Sequence, residues 1–440
     1  MIRTLLFCLF IFPLNYAIAQ DIIGYGVNES ELVEEAMQPQ RFSEINKNQA
    51  EGDFIPLSFP LQAADELEWN SYYTVRYLFD HDAGEDAQDA FCNEPGNLSF
   101  DGNLATHFIL YPFAWHLIEN ELVHVTAAAS GTIIEKLDGN PDQLCDWDSE
   151  AIPNAIGLSH TNGTETFYGN MKAGSLTSKT VGETVAQGEI LGVPGSSGPS
   201  KRPSLNFYVY DSNGNAIDPY LGACNDDLTN SLWENQNDVK AMRINHVSTH
   251  SADPTYLACP SQNEEPHFED TFNVGETVYF RSSLRQTLPG QFIDYFALAP
   301  NGSVFYTDTY AFNDTYFAAW TEFSSEIPPI PNVGGIWTYG AVLNGDTVST
   351  TFMVNEPLGI AESESDLFSF YPNPAEEFLI INPLLNQAVL SIRILDLSGR
   401  TAIIESVRTS KLNISSLKPG MYFIEVQTEN GREAYPFSKN

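Results

Sequence analysis

The stretch that decides the fold is Gly192-Val-Pro-Gly-Ser-Ser-Gly-Pro-Ser-Lys-Arg-Pro-Ser-Leu-Asn-Phe-Tyr-Val-Tyr-Asp211. It starts as a loop rich in glycine and proline and continues into a segment in which Leu205, Phe207 and Val209 alternate with more polar residues. Alternation with a period of two is typical of a β-strand that buries one face. We therefore predict a strand here, with Ser204 and Asn206 on the face opposite the core.

Short apolar runs separated by Gly, Asn, Asp and Pro precede this strand and include it. The runs are Leu122–Val125, Gly131–Ile134, Ala155–Leu158, Thr166–Tyr168, Glu189–Val193 and Leu205–Tyr210. Regularly spaced short strands with turn residues between them predict an all-β sandwich or half-barrel.

Several segments of this block carry a family resemblance. They are Ala127-Ala-Ala-Ser-Gly-Thr-Ile133, Leu158-Ser-His-Thr-Asn-Gly163, Tyr168-Gly-Asn-Met-Lys172 and Val181–Gly192. In this order they resemble the framework of the lysostaphin/LytM-like zinc metallopeptidases, whose last strand also follows a glycine-rich loop. The resemblance implies a lysostaphin-like β-sandwich or half-barrel, a duplicated hybrid motif, over residues 56–225 with an N-terminal extension.

In that family the zinc ligands are the His and Asp of an H-x-x-x-D motif and the second His of an H-x-H motif. The first His of H-x-H and a His on a neighbouring strand assist the bound water. When the chain is aligned on Tyr111–Trp115, the metal positions become Asn103, His107 and Asn206, and the assisting positions become Asn170 and Ser204. A second register, which starts the motif at His107, puts Tyr111 at the Asp position. Neither register contains a His-Asp pair.

Catalytic zinc needs about three protein ligands with a basic nitrogen or a carboxylate, together with an open position for water. Neutral amides and hydroxyls are poor zinc donors, so the resemblance predicts a degenerate site with no catalytic residues, no metal and no cofactor. Zinc is expected only if the alternative holds, an active endopeptidase that cleaves peptidoglycan cross-bridges or glycine-rich peptides. His116 and His124 are interpreted as structural histidines. His160 matches a hairpin histidine of the family that is not a ligand, and His246 and His250 lie in the polar connection.

The rest of the chain predicts a multidomain, all-β secreted protein. Residues 1–19 have the basic start, apolar run and Ala-x-Ala end of a signal peptide, and residues 20–55 form a polar leader. A connection is predicted over 226–263, an immunoglobulin-like sandwich over 264–355 and an acidic linker over 356–365.

The last block, residues 366–440, carries a second resemblance. The succession Tyr371-Pro-Asn-Pro374, Asp396-Leu-Ser-Gly399 and Pro419-Gly-Met-Tyr422 resembles the C-terminal sorting domain of the type IX secretion system. This resemblance implies the secretion machinery as a partner, followed by release or attachment at the cell surface.

The cysteines suggest disulfides. The chain has five, and removal of Cys8 with the signal peptide leaves Cys92, Cys145, Cys224 and Cys259 without any C-x-x-C spacing. An even number in an exported chain predicts two disulfides, for which the sequence leaves three pairings open. The family resemblance favours Cys92 with Cys145 and Cys224 with Cys259.

Charge limits the partners. The 58 acidic and 20 basic residues give a net charge of −38, which repels nucleic acid and anionic lipid surfaces. After the signal peptide no apolar run is long enough for an integral membrane span. We therefore expect a secreted binding or structural module at the cell surface, with peptidoglycan or a surface peptide or glycan as candidate partner. A third hypothesis is an adhesion protein that works through its immunoglobulin-like domain.

Overall fold

The computed structural model describes residues 23–27, 54–84, 86–144, 151–255, 264–328, 333–355, 368–383, 389–397, 399–406, 411–428 and 431–440. The chain divides into two compact units, Met1–Pro357 and Leu358–Asn440. The predicted signal peptide and the acidic linker lie outside the described residues.

The first part of the larger unit is a lysostaphin-like β-structure. Its elements, preceded by an N-terminal strand, are β1 (Ile23–Val27), β2 (Leu61–Ala63), β3 (Tyr73–Tyr77), β4 (Thr106–Leu110), α1 (Ala114–Glu119), β5 (Val123–Thr126), β6 (Gly131–Leu137), β7 (Ala155–Ser159), β8 (Glu165–Gly169), β9 (Thr184–Val185), β10 (Ile190–Gly192) and β11 (Ser204–Tyr210). A seven-stranded sheet has the order β3-β4-β11-β8-β7-β6-β9, and a three-stranded sheet has the order β10-β5-β2. The predicted fold class is confirmed.

Strand β11 is central to the seven-stranded sheet. Its residues Leu205, Phe207 and Val209 are buried in the main core, where the Phe207 ring lies 5.6 Å from the Trp233 ring. The opposite face, which the alternation predicted to be polar, is also covered. Tyr208 and Tyr210 are buried in a smaller cluster with Phe167, because tyrosine rings provide enough apolar surface to pack there.

The glycine-rich loop before β11 is held tightly against the chain that follows β8. A Cβ atom at Gly195 would lie 2.6 Å from the Lys172 backbone nitrogen, so only glycine fits there. The Gly195 N–H donates to the Asn170 carbonyl at 2.7 Å, and the Ser197 hydroxyl donates to the Met171 carbonyl at 2.8 Å. These contacts fix Asn170 beside the start of β11.

The second part of the larger unit is a two-sheet sandwich. Its strands are β12 (Arg243–His250), β13 (Thr271–Asn273), β14 (Thr277–Thr287), β15 (Phe292–Leu298), β16 (Val304–Ala311), β17 (Tyr316–Glu326), β18 (Gly335–Leu343) and β19 (Asp346–Asn355). One sheet has the order β1-β17-β14-β12 and the other β13-β19-β18-β15-β16. Their inner faces share a core that contains Phe280, Phe323, Tyr339 and Phe352. The Asn344-Gly345 turn has φ values of 54° and 92°, as a two-residue hairpin requires.

Two segments expected to lie outside the domains are part of them. In the predicted connection, Leu232 and Trp233 are buried in the first core, and Arg243–His250 forms the sandwich strand β12, which pairs with β14. In the predicted leader, Ile23–Val27 forms β1, which pairs with β17. Strand β1 is a short segment with two glycines and β12 is mostly polar, so neither has a strong strand pattern, whereas an open sheet edge is completed through backbone hydrogen bonds that any sequence can supply.

The smaller unit is a separate β-sandwich. Its strands are β20 (Phe368–Tyr371), β21 (Phe378–Pro383), β22 (Val389–Asp396), β23 (Thr401–Ser406), β24 (Lys411–Asn413), β25 (Gly420–Thr428) and β26 (Gly431–Lys439). Sheets of order β20-β21-β24 and β23-β22-β25-β26 enclose a core that includes Phe368, Ile394, Ile424 and Phe437.

The favoured disulfide pairing is wrong. Cys92 is bonded to Cys224, with a Cα–Cα distance of 5.2 Å. The two segments run side by side, since the Cys224 N–H donates to the Ala90 carbonyl at 2.9 Å and a Cβ atom at Gly222 would lie 2.1 Å from that oxygen. The pairing is set by which segments lie close together in space. Because Cys92 and Cys224 are bonded to each other, neither of the two predicted bonds can form. Cys145 and Cys259 lie outside the described residues.

Candidate functional site

The pairing of three neighbouring strands brings the five predicted site residues together. In the sheet, β11 lies between β4 and β8, and Asn206 is opposite both His107 and Gly169. Ser204 lies two residues before Asn206 on the same face of β11, and Asn170 directly follows β8. Asn103 precedes β4 and completes the group.

Hydrogen bonds connect these side chains. Asn103 Oδ1 lies 3.0 Å from His107 Nε2, Asn206 Nδ2 donates to Asn170 Oδ1 at 3.3 Å, and Asn170 Nδ2 donates to Ser204 Oγ at 3.1 Å. Asn103 is further fixed because its Nδ2 donates to the carbonyls of Leu78 and Ala105. The side chains at the five predicted site positions are therefore hydrogen-bonded among themselves, and we name this set the polar site.

His107 is held as a neutral imidazole. Burial and, to a lesser extent, the charge of Arg76 lower its pKa to about 3, against the opposing effect of a hydrogen bond with Asn206. The rings of Tyr77 and Phe100 pack against His107 edge-on, with centroids 5.6 and 6.0 Å away. This apolar surrounding explains why the charged form is disfavoured.

Arg76 is the site residue that the sequence did not reveal. It lies at a bulge in β3 opposite His107 and is 3% exposed. Its guanidinium lies 4.8 Å from the Tyr77 ring centroid and 4.7 Å from that of Phe317, and its Nη2 donates to Tyr77 Oη at 2.8 Å. In the sequence it is a single arginine in an apolar strand, and only the fold places it near the polar site.

The polar site does not suit zinc. Its potential donors are one imidazole, whose Nε2 is engaged by Asn103, together with three amides and one hydroxyl. The positive charge of Arg76 next to His107 further disfavours a divalent cation. Within the described ranges, no group of three or more His, Cys, Asp or Glu residues is arranged to hold a metal ion.

Tyr111, which the second register put at the Asp position, lies apart from the polar site. Its hydroxyl donates to the Ala319 carbonyl, and its ring packs with Phe317 and Ala318. The geometry thus groups the residues of the first register and leaves out Tyr111.

His160, His250 and His246 have local partners. His160 contacts the Ser130 carbonyl and the Thr166 hydroxyl, each at 3.0 Å. His250 contacts the Pro266 carbonyl at 2.6 Å and the Ser248 hydroxyl at 2.8 Å. His246 stacks on Trp69 with centroids 4.4 Å apart. These contacts agree with structural roles.

The sandwich covers the edge of β3 beside the polar site. Thr74 Oγ1 donates to the Phe317 carbonyl at 2.6 Å, and Gln286 Nε2 donates to the Val75 carbonyl at 2.6 Å. Asn245 Nδ2 donates to the carbonyls of Tyr73 and Tyr111 at 2.8 and 3.0 Å. The polar site therefore lies close to a contact between the two domains of the larger unit.

The first domain is similar to the lysostaphin-like peptidases in its β-fold. In particular, residues 117–219 match the model of peptidase family M23. Residues 369–435 match the model of the secretion system C-terminal sorting domain. Both resemblances seen in the sequence are confirmed, and the sorting domain indicates a secreted or cell-surface protein.

Solved structures of M23 proteins are similar to part of the chain. A mutant catalytic domain of the prophage-encoded M23 protein EnpA from Enterococcus faecalis has 16% identity and a TM-score of 0.23, over 38% of this chain and 96% of that one. The catalytic domain of lysostaphin from Staphylococcus simulans has 24% identity and a TM-score of 0.22, over 33% and 89%. A putative M23 peptidase from Pseudomonas aeruginosa has 15% identity and a TM-score of 0.22, over 38% and 53%.

No curated protein matches the chain. In the part of the chain that the structure describes, no helix has the length and apolar character needed to cross a membrane.

Proposed function

We propose that this is a secreted, catalytically inactive M23-fold protein that binds a cell-wall peptide or glycan at the cell surface. The observation that carries the proposal is the polar site, in which the positions of the family's ligands and assisting histidines hold Asn103, His107, Asn206, Asn170 and Ser204 in mutual hydrogen bonds. The residues lack the donors for zinc chemistry, and the binding role is proposed from the M23-like fold that carries them.

Metal content tests the inactive state. The purified protein, dialysed against zinc and then against metal-free buffer, is expected to retain much less than stoichiometric zinc by elemental analysis, because one neutral imidazole is a weak ligand set. A known M23 peptidase treated identically serves as the control. Stoichiometric zinc in this protein would overturn the inactive state.

Retention on cell walls tests the binding role. The proposal predicts that the full chain co-sediments with purified peptidoglycan sacculi and that Asn206→Ala reduces this retention. Asn230→Ala, a substitution at an exposed position, is the matched control. Equal retention of the Asn206 variant and the control, or no retention of the unmodified protein, would contradict a role for the polar site in binding.

The M23 family match favours a second candidate, a working zinc endopeptidase that acts on peptide cross-bridges. This candidate predicts that the protein clears cell-wall or glycine-rich peptide substrates and that a chelator abolishes the clearing. The inactive state predicts no clearing with or without added zinc. The assay therefore separates the two candidates directly.

A further inference from the structure

A cavity of about 330 Å³ opens in the sandwich where the chain passes from one sheet to the other. Phe268 is paired with His250 at the end of β12, and three residues later Thr271 is paired with Met353 of β19. Because one segment cannot cover two sheet edges at once, its change of sheet leaves a gap beside it. We name this cavity the sandwich notch, and it is lined by His246, Val247, Ser248, Thr249, Phe268, Glu269, Asp270, Thr350 and Thr351.

The edge of β12 is open in the sandwich notch. The Thr249 carbonyl accepts the Glu269 N–H at 3.1 Å, and the Ser251 N–H donates to the His267 carbonyl at 3.0 Å. Thr249 and Ser251 therefore turn these backbone groups away from β14, and Val247, two residues before Thr249, does the same. In the described part of the chain, neither the N–H nor the C=O of Val247 has a hydrogen-bond partner on that side. An unpaired strand edge is a template for the backbone of another peptide.

Aromatic rings form one wall of the sandwich notch. His246 and Phe268 line it with their ring centroids 6.0 Å apart. Trp69 stacks on the His246 ring at 4.4 Å and so fixes its orientation. Burial lowers the pKa of His246 to about 3, which keeps this ring uncharged at neutral pH. Phe268 is 38% exposed, so its ring is accessible to a ligand. Uncharged aromatic rings attract a cation placed over their faces.

Two carboxylates face the same cavity. Glu269 and Asp270 line it, and among the residues that the structure describes neither forms an ion pair with a basic side chain. Glu269 is held in place because its Oε1 accepts the N–H groups of Asp270 and Thr271, each at 3.2 Å. Negative charge beside uncharged rings favours a cationic group over an anionic or neutral one.

We propose that the sandwich notch binds a lysine or arginine side chain of a partner peptide. The cation lies between the aromatic wall and the carboxylates of Glu269 and Asp270, and the open edge at Val247 pairs with the backbone of the same peptide. The volume of the notch is near the lower end for small-ligand sites, which suits a single side chain. This inference does not depend on the polar site and gives the sandwich a binding role of its own.

The test compares two probes that share the same backbone amides and differ in charge. They are N-acetyl-lysine methylamide and the same compound with its side-chain amine acetylated. Binding of each to the full chain is measured by titration with saturation-transfer NMR at low ionic strength. The charged probe is expected to bind about tenfold more tightly, because a cation–π contact and a partly exposed ion pair both favour it.

Substitutions assign the preference to the sandwich notch. The double variant Glu269→Gln/Asp270→Asn removes both negative charges and is expected to abolish the preference for the charged probe. Thr351→Arg places a guanidinium at an exposed position that lines the notch and should weaken the binding of both probes. Glu326→Gln removes one negative charge at an exposed position of β17 and should leave both affinities unchanged. Circular dichroism checks that each variant is folded.

Equal affinity for the two probes, no binding of either, or a preference that survives the double substitution would overturn the cation site. Displacement of the charged probe by N-acetylglucosamine at a similar concentration would also overturn it, since it would identify a site for a neutral sugar. Each of these outcomes leaves the proposed function of the polar site in place, because retention on sacculi and its Asn206→Ala variant test that function separately.

Discussion

Removal of the Cys92–Cys224 disulfide should destabilise the larger unit through its unfolded state. The bond joins residues 132 apart in sequence, and the chain-entropy relation gives about 5 kcal/mol for a closed loop of this size. The native contacts around it remain in a Cys92→Ser/Cys224→Ser variant. They include the buried ion pair of Lys240 with Asp89 at 2.6 Å and the contact of His81 with Asp218 at 2.9 Å. We therefore expect a loss of about 3–5 kcal/mol, most of it from the greater freedom of the unfolded chain.

Urea denaturation followed by tryptophan fluorescence under non-reducing conditions measures this loss. Because the variant's unfolded chain is less compact, its m-value should rise while the midpoint falls. Peptide mapping of the unmodified protein without reduction gives an independent check and should recover the peptides of Cys92 and Cys224 joined. A stability change below about 1 kcal/mol, or a map that pairs either cysteine differently, would refute the reasoning.

Two further predictions concern the contact between the domains of the larger unit. Burial raises the pKa of Glu264 to about 7, although its carboxylate accepts the backbone N–H of His116 at 2.9 Å. The folded state therefore holds this proton more tightly than the unfolded state, and the associated stability is present below about pH 4.5 and lost as pH rises through about 7. Relative to the unmodified protein, Glu264→Gln should gain about 3 kcal/mol between pH 4.5 and 8 in urea denaturation, and the exposed Glu265→Gln should not. A gain that does not change with pH would contradict the shift. Asn245→Ala removes the amide that donates to the buried carbonyls of Tyr73 and Tyr111 and should lower the free energy of unfolding by about 2–4 kcal/mol. The exposed Asn230→Ala should leave it nearly unchanged. Similar urea midpoints for the two variants would show that this contact does not hold the domains together.

Local patterns were sufficient for most of the fold. Alternating apolar residues predicted β11 and most strands of both sandwiches, because each strand buries side chains with a period of two. The Asn344-Gly345 turn follows from residues that tolerate positive φ. The strands β1 and β12 were missed, since a short glycine-containing segment and a mostly polar one become strands only when an existing sheet edge accepts their backbone groups.

The sequence by itself determined which residue types stand at the site. The family motifs placed Asn103, His107, Asn170, Ser204 and Asn206 at the five functional positions, and the structure brings these five together. Only the tertiary structure decided what surrounds them. Arg76, Phe317 and the Cys92–Cys224 bond are contacts between segments distant in the chain, and neither periodicity nor spacing encodes which distant segments meet. For the disulfide it depends on packing within the first domain, and for Arg76 and Phe317 on packing between the two domains of the larger unit.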